Sequence, residues 1–138
     1  MRATIVFYGV ALLAYLLIDA IWLGLTADTL YRAALGRIML EHFRPLPAFA
    51  VYLLQVVGLA VFVRPRAFAQ GGAAALAYGA AFGVFTYGLY DLTNLATLTG
   101  WTVGLSLTDI AWGGTVSALA ALCGWLAARR LLRPRIFR

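Results

Sequence analysis

The sequence predicts an all-α protein, a bundle of four transmembrane helices. Of its 138 residues, 64% are hydrophobic and 12% are charged, the mean hydropathy is +0.90, and the apolar residues fall into four runs. A spanning helix needs about 20 mainly apolar residues, so the chain has the length for four spans with short connections. We therefore expect a single integral membrane domain over residues 1–138, without a soluble domain.

The predicted spans cover residues 4–25, 47–63, 70–91 and 107–128. The first run contains Asp19 and lacks a small-residue cleavage site, so we interpret it as a retained helix and not as a signal peptide. Charged or polar segments mark the ends of the other three: Arg64-Pro65-Arg66, Asp91-Leu92-Thr93-Asn94 and Arg129-Arg130.

The distribution of arginine predicts the orientation of the bundle. In the four-span topology, eight arginines lie on the side that holds both termini: Arg2, Arg64, Arg66, Arg129, Arg130, Arg133, Arg135 and Arg138. The other side has Arg32, Arg37 and Arg44. Because arginine-rich flanks are retained in the cytoplasm, we expect cytoplasmic N- and C-termini. The net charge of +6 then reflects topology, and no nucleic-acid partner is expected.

The connection from Thr26 to Arg44 is predicted to form a short interfacial helix between spans one and two. Its apolar residues recur at helical spacing, at Leu30, Ala34 and Ile38. Opposite charges lie four residues apart in two pairs, Asp28 with Arg32 and Arg37 with Glu41. Two roles remain open for this segment, a cover over the helix ends and a lid.

Span three is rich in small residues, among them the pair Gly79 and Gly83. In lipid no hydrophobic force drives helices together, so close backbone approach between small residues takes its place. This span therefore favours packing, either within the bundle or with a partner. Membrane lipid is the expected surrounding partner, and a homodimer or a larger membrane complex would form through span three.

Three carboxylates, Asp19, Asp91 and Asp109, lie within or at the edge of apolar runs, all in the predicted outer half. A charge there costs about 2.5–3.5 kcal/mol, so such residues normally face the bundle interior and have partners. Helical spacing places other polar or aromatic residues near the same depth: Tyr15, Tyr52, Gln55 and Tyr87. The predicted ligand-binding site consists of Asp19, Trp22, Tyr90, Asp91, Asn94, Asp109 and Trp112.

Two of the acids also have a purely structural interpretation. The segment Ser106-Leu107-Thr108-Asp109 has the form of a capping box. Asp91 and Asn94 could bond free backbone groups where span three ends. Asp19 has no such local role, since helical apolar sequence surrounds it. A structural hydrogen-bond network therefore stays open as the alternative to a site.

Clustered carboxylates suit the binding of a proton or a cation, and tryptophans suit an apolar ligand. We therefore expect an acidic and aromatic pocket for a small molecule, lipid or cation, with proton coupling as one form. The sequence has no zinc spacing, nucleophile elbow, phosphate loop or haem-ligand pair, so no metal site is predicted and the cofactor stays undetermined. Two alternatives remain: an accessory or assembly subunit of a larger complex without its own chemistry, and a membrane enzyme acting on lipid.

Three motifs stand out in the sequence: Asp19-Ala20-Ile21-Trp22-Leu23-Gly24, Tyr90-Asp91-Leu92-Thr93-Asn94-Leu95-Ala96-Thr97 and Asp109-Ile110-Ala111-Trp112-Gly113. In these motifs the chain resembles a bacterial membrane protein family described as domain of unknown function 2177. The likeness extends over nearly the whole chain. It implies a small multi-pass protein of the bacterial inner membrane, and it brings neither an established activity nor catalytic residues.

Overall fold

The computed structural model describes residues 1–36 and 38–132, and within them it has four long helices and no strand. The helices are α1 (Arg2–Leu35), α2 (Pro45–Gln70), α3 (Gly72–Thr97) and α4 (Val103–Leu132). Each of the four is long and apolar enough to cross a membrane. The predicted all-α, four-span fold class is therefore confirmed for the described part of the chain.

Of the eleven arginines, four lie outside the described residues: Arg37, Arg133, Arg135 and Arg138. The predicted pairing of Arg37 with Glu41 is therefore not described. The cytoplasmic orientation of the two termini stays a prediction that rests on the arginine distribution alone.

Helix α1 extends ten residues past its predicted end at residue 25, without a break, to Leu35. It does so through a π-helical turn at Ala27–Arg32, a wider turn than that of an α-helix. The segment after Thr26 is thus helical, but it continues α1 and does not form a separate element before residue 37. The predicted pair is present, with 2.9 Å between Arg32 Nε and Asp28 Oδ1. An interfacial position for this segment stays a prediction.

Helix α2 continues through Arg64-Pro65-Arg66 to Gln70, so the helix end predicted at residue 63 was wrong. The preceding turn, Leu59–Val63, is π-helical. We attribute the continuation to this wider turn, because a proline inside a regular α-helix clashes with the carbonyl one turn earlier. The Arg64 guanidinium lies 5.2 Å from the centre of the Phe68 ring, along the helix surface.

Helices α3 and α4 also begin or end outside the predicted limits. The segment Asp91-Leu92-Thr93-Asn94 does not interrupt α3, which ends at Thr97. Helix α4 begins at Val103, and the Leu105 amide donates to Thr102 Oγ1 at 3.1 Å, as at a capped N-terminus. Asp109 therefore lies in the second turn, and its interpretation as part of a capping box was wrong.

The most extensive helix contact joins α3 to α4. A Cβ added to Gly79 would lie 2.9 Å from the Ser117 carbonyl oxygen, and one added to Gly83 would overlap the Gly113 carbonyl. These glycines therefore pack inside the bundle, one of the two predicted uses of span three. A homodimer or larger complex stays a prediction, and it would need another face of α3.

The helices run antiparallel, as their contacts show: Phe7 lies near Gly124, Tyr15 near Ser117, and Gln55 near Thr86. The carboxyl ends of α1 and α3 thus meet the amino ends of α2 and α4, and we call this end of the bundle the acidic end. There the first part of α2, Pro45–Gly58, packs on α1 and has few contacts with α3. The later part, Leu59–Gln70, packs on α3.

Candidate functional site

Asp19 is the centre of a hydrogen-bond network that joins three helices. Its Oδ1 accepts a hydrogen bond from Trp112 Nε1 of α4 at 2.8 Å, and its Oδ2 accepts one from the Tyr52 hydroxyl of α2. The residue is 6% exposed. Because both oxygens are bonded by groups from other helices, the carboxylate is fixed in one orientation at the interior of the acidic end.

Asp109 is held by α1 in a similar way. The Tyr31 hydroxyl donates to Asp109 Oδ1, and Trp22 Nε1 donates to the Tyr31 oxygen at 3.1 Å. The Trp22 ring stacks on the Trp112 ring with 4.3 Å between centres and 9° between planes. Trp112 donates to Asp19, and Trp22 donates to the tyrosine that bonds Asp109. The stacked tryptophans therefore connect the hydrogen bonds of the two carboxylates.

Asp91 differs from both of the other acids. It is 0% exposed, and neither carboxylate oxygen has a hydrogen-bond partner among the described residues. It lies near Asp109 and near the Trp101 indole, whose N–H donates to Ser106 Oγ at 3.0 Å. As α3 continues past it, Asp91 does not terminate the helix, and its structural interpretation was wrong. A buried polar group without a partner carries an uncompensated desolvation cost.

No basic side chain of the described residues pairs with these three acids. Within that part of the chain, Arg32 forms a salt bridge with Asp28, on the surface. The donors to Asp19 and Asp109 are hydroxyl and indole groups, which are neutral. Neutral donors orient a carboxylate but do not cancel its charge. The described residues therefore supply no basic counter-ion to the carboxyl groups of the acidic end.

A second polar layer lies next to Asp19, farther from the acidic end. The Tyr15 hydroxyl donates to the Tyr87 oxygen at 3.0 Å, and the Tyr15 ring meets the Tyr52 ring edge-on at 5.9 Å. Gln55 Nε2 donates to Thr86 Oγ1 at 2.7 Å and so connects α2 with α3. These contacts join α1, α2 and α3 at one depth.

A cavity of ≈ 420 Å³ lies beside this network, between α2 and α3. It is lined by Tyr15, Asp19, Leu23, Phe43, Ala48, Val51, Tyr52, Gln55, Thr86, Tyr87, Tyr90 and Asp109. Its volume falls in the range of about 300–1,000 Å³ that is usual for small-molecule sites. Its wall is mostly aromatic and aliphatic, and two of the buried carboxylates reach it.

The seven residues predicted from the sequence fall into three groups. Asp19, Tyr90 and Asp109 line the cavity. Trp22 and Trp112 lie behind it, in the hydrogen-bond network. Asp91 and Asn94 do not line it: Asp91 is fully buried near Asp109, and Asn94 is half-buried on α3.

The predicted set lacked the tyrosines of this network, of which Tyr52 and Tyr31 donate to the acids. Tyr15 and Tyr87 each precede an acid by four residues, and that spacing could have added them. Tyr52 lies on another helix, so its bond to Asp19 is tertiary. Tyr31 reaches Asp109 from the π-helical turn, where a period of 3.6 residues no longer predicts which way a side chain points.

No curated protein and no solved structure matches this chain. One family profile does match it, that of the predicted membrane protein (DUF2177), over residues 4–126. The match includes all seven predicted site residues and most or all of each of the four helices. The chain therefore belongs to this family of multi-pass membrane proteins, DUF2177.

Proposed function

We propose that this protein binds, inside its membrane-spanning bundle, a small molecule that carries a positive charge, with Asp19 and Asp109 as the groups that receive that charge. The observation that carries the proposal is the lack of a basic partner for three buried carboxylates in the described part of the chain. A bacterial inner membrane remains the predicted location.

A charged side chain inside a membrane is energetically costly. Each carboxylate there costs about 2.5–3.5 kcal/mol on insertion scales, and residues of this kind are usually paired or functional. The bonds to Asp19 come from Tyr52 and Trp112, which remain neutral. We infer that compensation comes as a proton or as a cationic ligand.

The cavity favours a cationic ligand over a proton alone. A proton needs no space, whereas ≈ 420 Å³ lies open beside Asp19 and Asp109. Aromatic faces attract cations, and Tyr15, Tyr52 and Tyr87 provide such faces in the cavity wall. An ammonium group next to the acids, with an apolar body against the rings, would match both parts of this surface.

The accessory-subunit alternative has less support. It used the glycines of span three as a docking face, and Gly79 and Gly83 lie against α4. No feature of the described residues favours the lipid-enzyme alternative over ligand binding. Binding of a positively charged small molecule therefore remains the function best supported by the geometry.

The test uses the chain in phosphatidylcholine nanodiscs and two pairs of probes. Dodecylamine and ethylamine are cationic at neutral pH, and dodecanol and ethanol are their neutral counterparts. The unfolding temperature is followed by tryptophan fluorescence. At least one amine should raise it in a saturable way while the matching alcohol does not, because a ligand that binds the folded state stabilises it.

Three variants show whether the acids cause the effect. Asp19→Asn and Asp109→Asn should each abolish the stabilisation by amine, with helix content checked by circular dichroism. Asp109→Asn disturbs fewer contacts, since among the described residues Asp109 accepts one hydrogen bond, from Tyr31, and Asp19 accepts two. The control is Asp28→Asn, an exposed acid outside the cavity, which should keep the full effect. The proposal fails if neither amine stabilises the wild type, or if both acid variants respond as it does.

A further inference from the structure

We infer that the ligand is an amphiphile dissolved in the membrane, with a protonated amine at one end and an alkyl tail, and that it enters sideways between α2 and α3. The inference rests on the proposed binding of a positive group at Asp19 and Asp109. It adds the chemical class of the ligand and its route, and both follow from how the two helices separate.

Helices α2 and α3 are in contact in one half of the bundle and apart in the other. Gly58 packs directly against the Phe82 ring, and Gln55 bonds Thr86 at 2.7 Å. The segment Pro45–Gly58 has few contacts with α3 overall, and these two contacts lie in its last four residues, away from the acidic end. The separation therefore begins near Gln55 and continues to the acidic end.

The cavity occupies this separation and reaches the outer surface of the bundle. Val51 of α2 and Tyr90 of α3 both line the cavity, and they are 63% and 58% exposed. Both residues lie within the spanning helices, where an exposed side chain meets lipid. We call the gap between Val51 and Tyr90 the lateral opening. A molecule passing through it would come from the membrane.

Polarity changes along the path from the lateral opening to the acids. Val51 and Leu23 are apolar, whereas Asp19 and Asp109 are each only 6% exposed. An amphiphile would thus place its amine at the acids and leave its tail against the apolar wall or in the lipid. A small hydrated cation has no apolar group that could contact this apolar part of the cavity.

Several side chains cover the acids at the end of the bundle. Tyr31, in the extension of α1, bonds Asp109, and Leu35 packs against Trp101 and Leu105. Phe43, in the connection to α2, lines the cavity as well. A ligand that came from water at this end would have to pass these side chains, whereas the lateral opening faces lipid.

The test narrows the lateral opening with a larger side chain. Val51→Trp places an indole at the opening, and Val57→Trp is the matched control, since Val57 is an exposed valine of α2 that does not line the cavity. Binding is measured in phosphatidylcholine nanodiscs from the dependence of the unfolding temperature on dodecylamine or ethylamine concentration. Because a tryptophan is added in both variants, unfolding is followed by circular dichroism.

We expect dodecylamine to bind the wild type and ethylamine to show no saturable binding over the same concentration range. Val51→Trp should weaken the apparent affinity for dodecylamine by about tenfold or more. Val57→Trp should leave it unchanged, and Asp19→Asn should abolish it.

Two outcomes separate this inference from the proposed function. If ethylamine binds as tightly as dodecylamine and Val51→Trp has no effect, while Asp19→Asn still abolishes binding, the cation site stands and the lateral amphiphile is wrong. If neither amine binds, or if Asp19→Asn and Asp109→Asn both bind dodecylamine as the wild type does, the proposed function falls and this inference falls with it. Equal weakening by Val51→Trp and Val57→Trp would also overturn the route.

Discussion

The contact between α3 and α4 and the acidic end hold the same bundle together by opposite means. Around Gly79 and Gly83 the two backbones touch, and no space remains for a methyl group. At the acidic end, hydroxyl and indole groups from other helices reach Asp19 and Asp109, beside a cavity of ≈ 420 Å³. Dispersion needs close approach, whereas long polar side chains can bridge a gap. Tight packing and the candidate site thus occupy different parts of the bundle.

The largest effect is expected where the backbones touch. Gly83→Ala should lower the free energy of unfolding by about 2–3 kcal/mol, because its Cβ would overlap the Gly113 carbonyl. The matched control is Gly88→Ala on the same helix, a buried glycine whose added Cβ would meet nothing within 4 Å. It should cost nothing and could add up to ~1 kcal/mol from helix propensity. Unfolding by sodium dodecyl sulfate in mixed micelles measures both, and equal losses would contradict the packing account.

At the acidic end, two amide substitutions should have opposite signs. Asp19→Asn should lower the free energy of unfolding by about 2 kcal/mol, because it weakens charge-assisted hydrogen bonds from Tyr52 and Trp112. Asp91→Asn should raise it by about 1 kcal/mol, because it removes a buried charge that has no hydrogen-bond partner among the described residues. The same detergent titration measures both variants. If the free energy of unfolding changed with the same sign in both variants, the difference in hydrogen bonding between Asp19 and Asp91 would be contradicted.

A smaller effect is expected at the amino end of α4, where Thr102 caps the helix and Asp109 lies in the second turn. Thr102→Ala should cost about 1 kcal/mol, because Thr102 Oγ1 accepts the Leu105 amide at 3.1 Å. Thr102→Ser keeps a hydroxyl and should be nearly neutral. Thermal unfolding followed by circular dichroism separates the two. An equal loss from both would mean that this hydroxyl does not cap the helix.

The smallest effect is expected at the surface. Asp28 pairs with Arg32 on an exposed stretch of α1, and such pairs contribute little because water screens them. Asp28→Asn should leave the unfolding midpoint within experimental error in the same titration. A loss comparable to that of Asp19→Asn would remove the distinction between surface and buried acids.

The fold class could be predicted from hydropathy, but the helix ends could not. The π-helical turns Ala27–Arg32 and Leu59–Val63 carry α1 and α2 past the charged or polar residues that seemed to end them in sequence. Such turns depend on tertiary packing and leave no composition signal. In the same way, Ser106 to Asp109 matched a capping box, while Thr102 caps the helix, which begins at Val103.

The site was predictable in its acids and incomplete in its donors. Carboxylates within apolar runs are visible in a sequence because they are costly, and Asp19 and Asp109 both line the cavity. Their donors Tyr52 and Tyr31 are apparent only once α2 and the turn of α1 are placed in space. Asp91 was predicted on the same ground as Asp19, the cost of a carboxylate within an apolar run, yet it does not line the cavity. That cost predicts burial, but it does not show which cavity a buried side chain borders.

The most direct test of the central claim is mass spectrometry of the molecules that remain bound to the chain after gentle extraction from its membrane. The account predicts an amine-bearing amphiphile that accompanies the wild type and Asp28→Asn and is lost from Asp19→Asn and Asp109→Asn. Identical bound molecules in all four proteins, or none in the wild type, would contradict it.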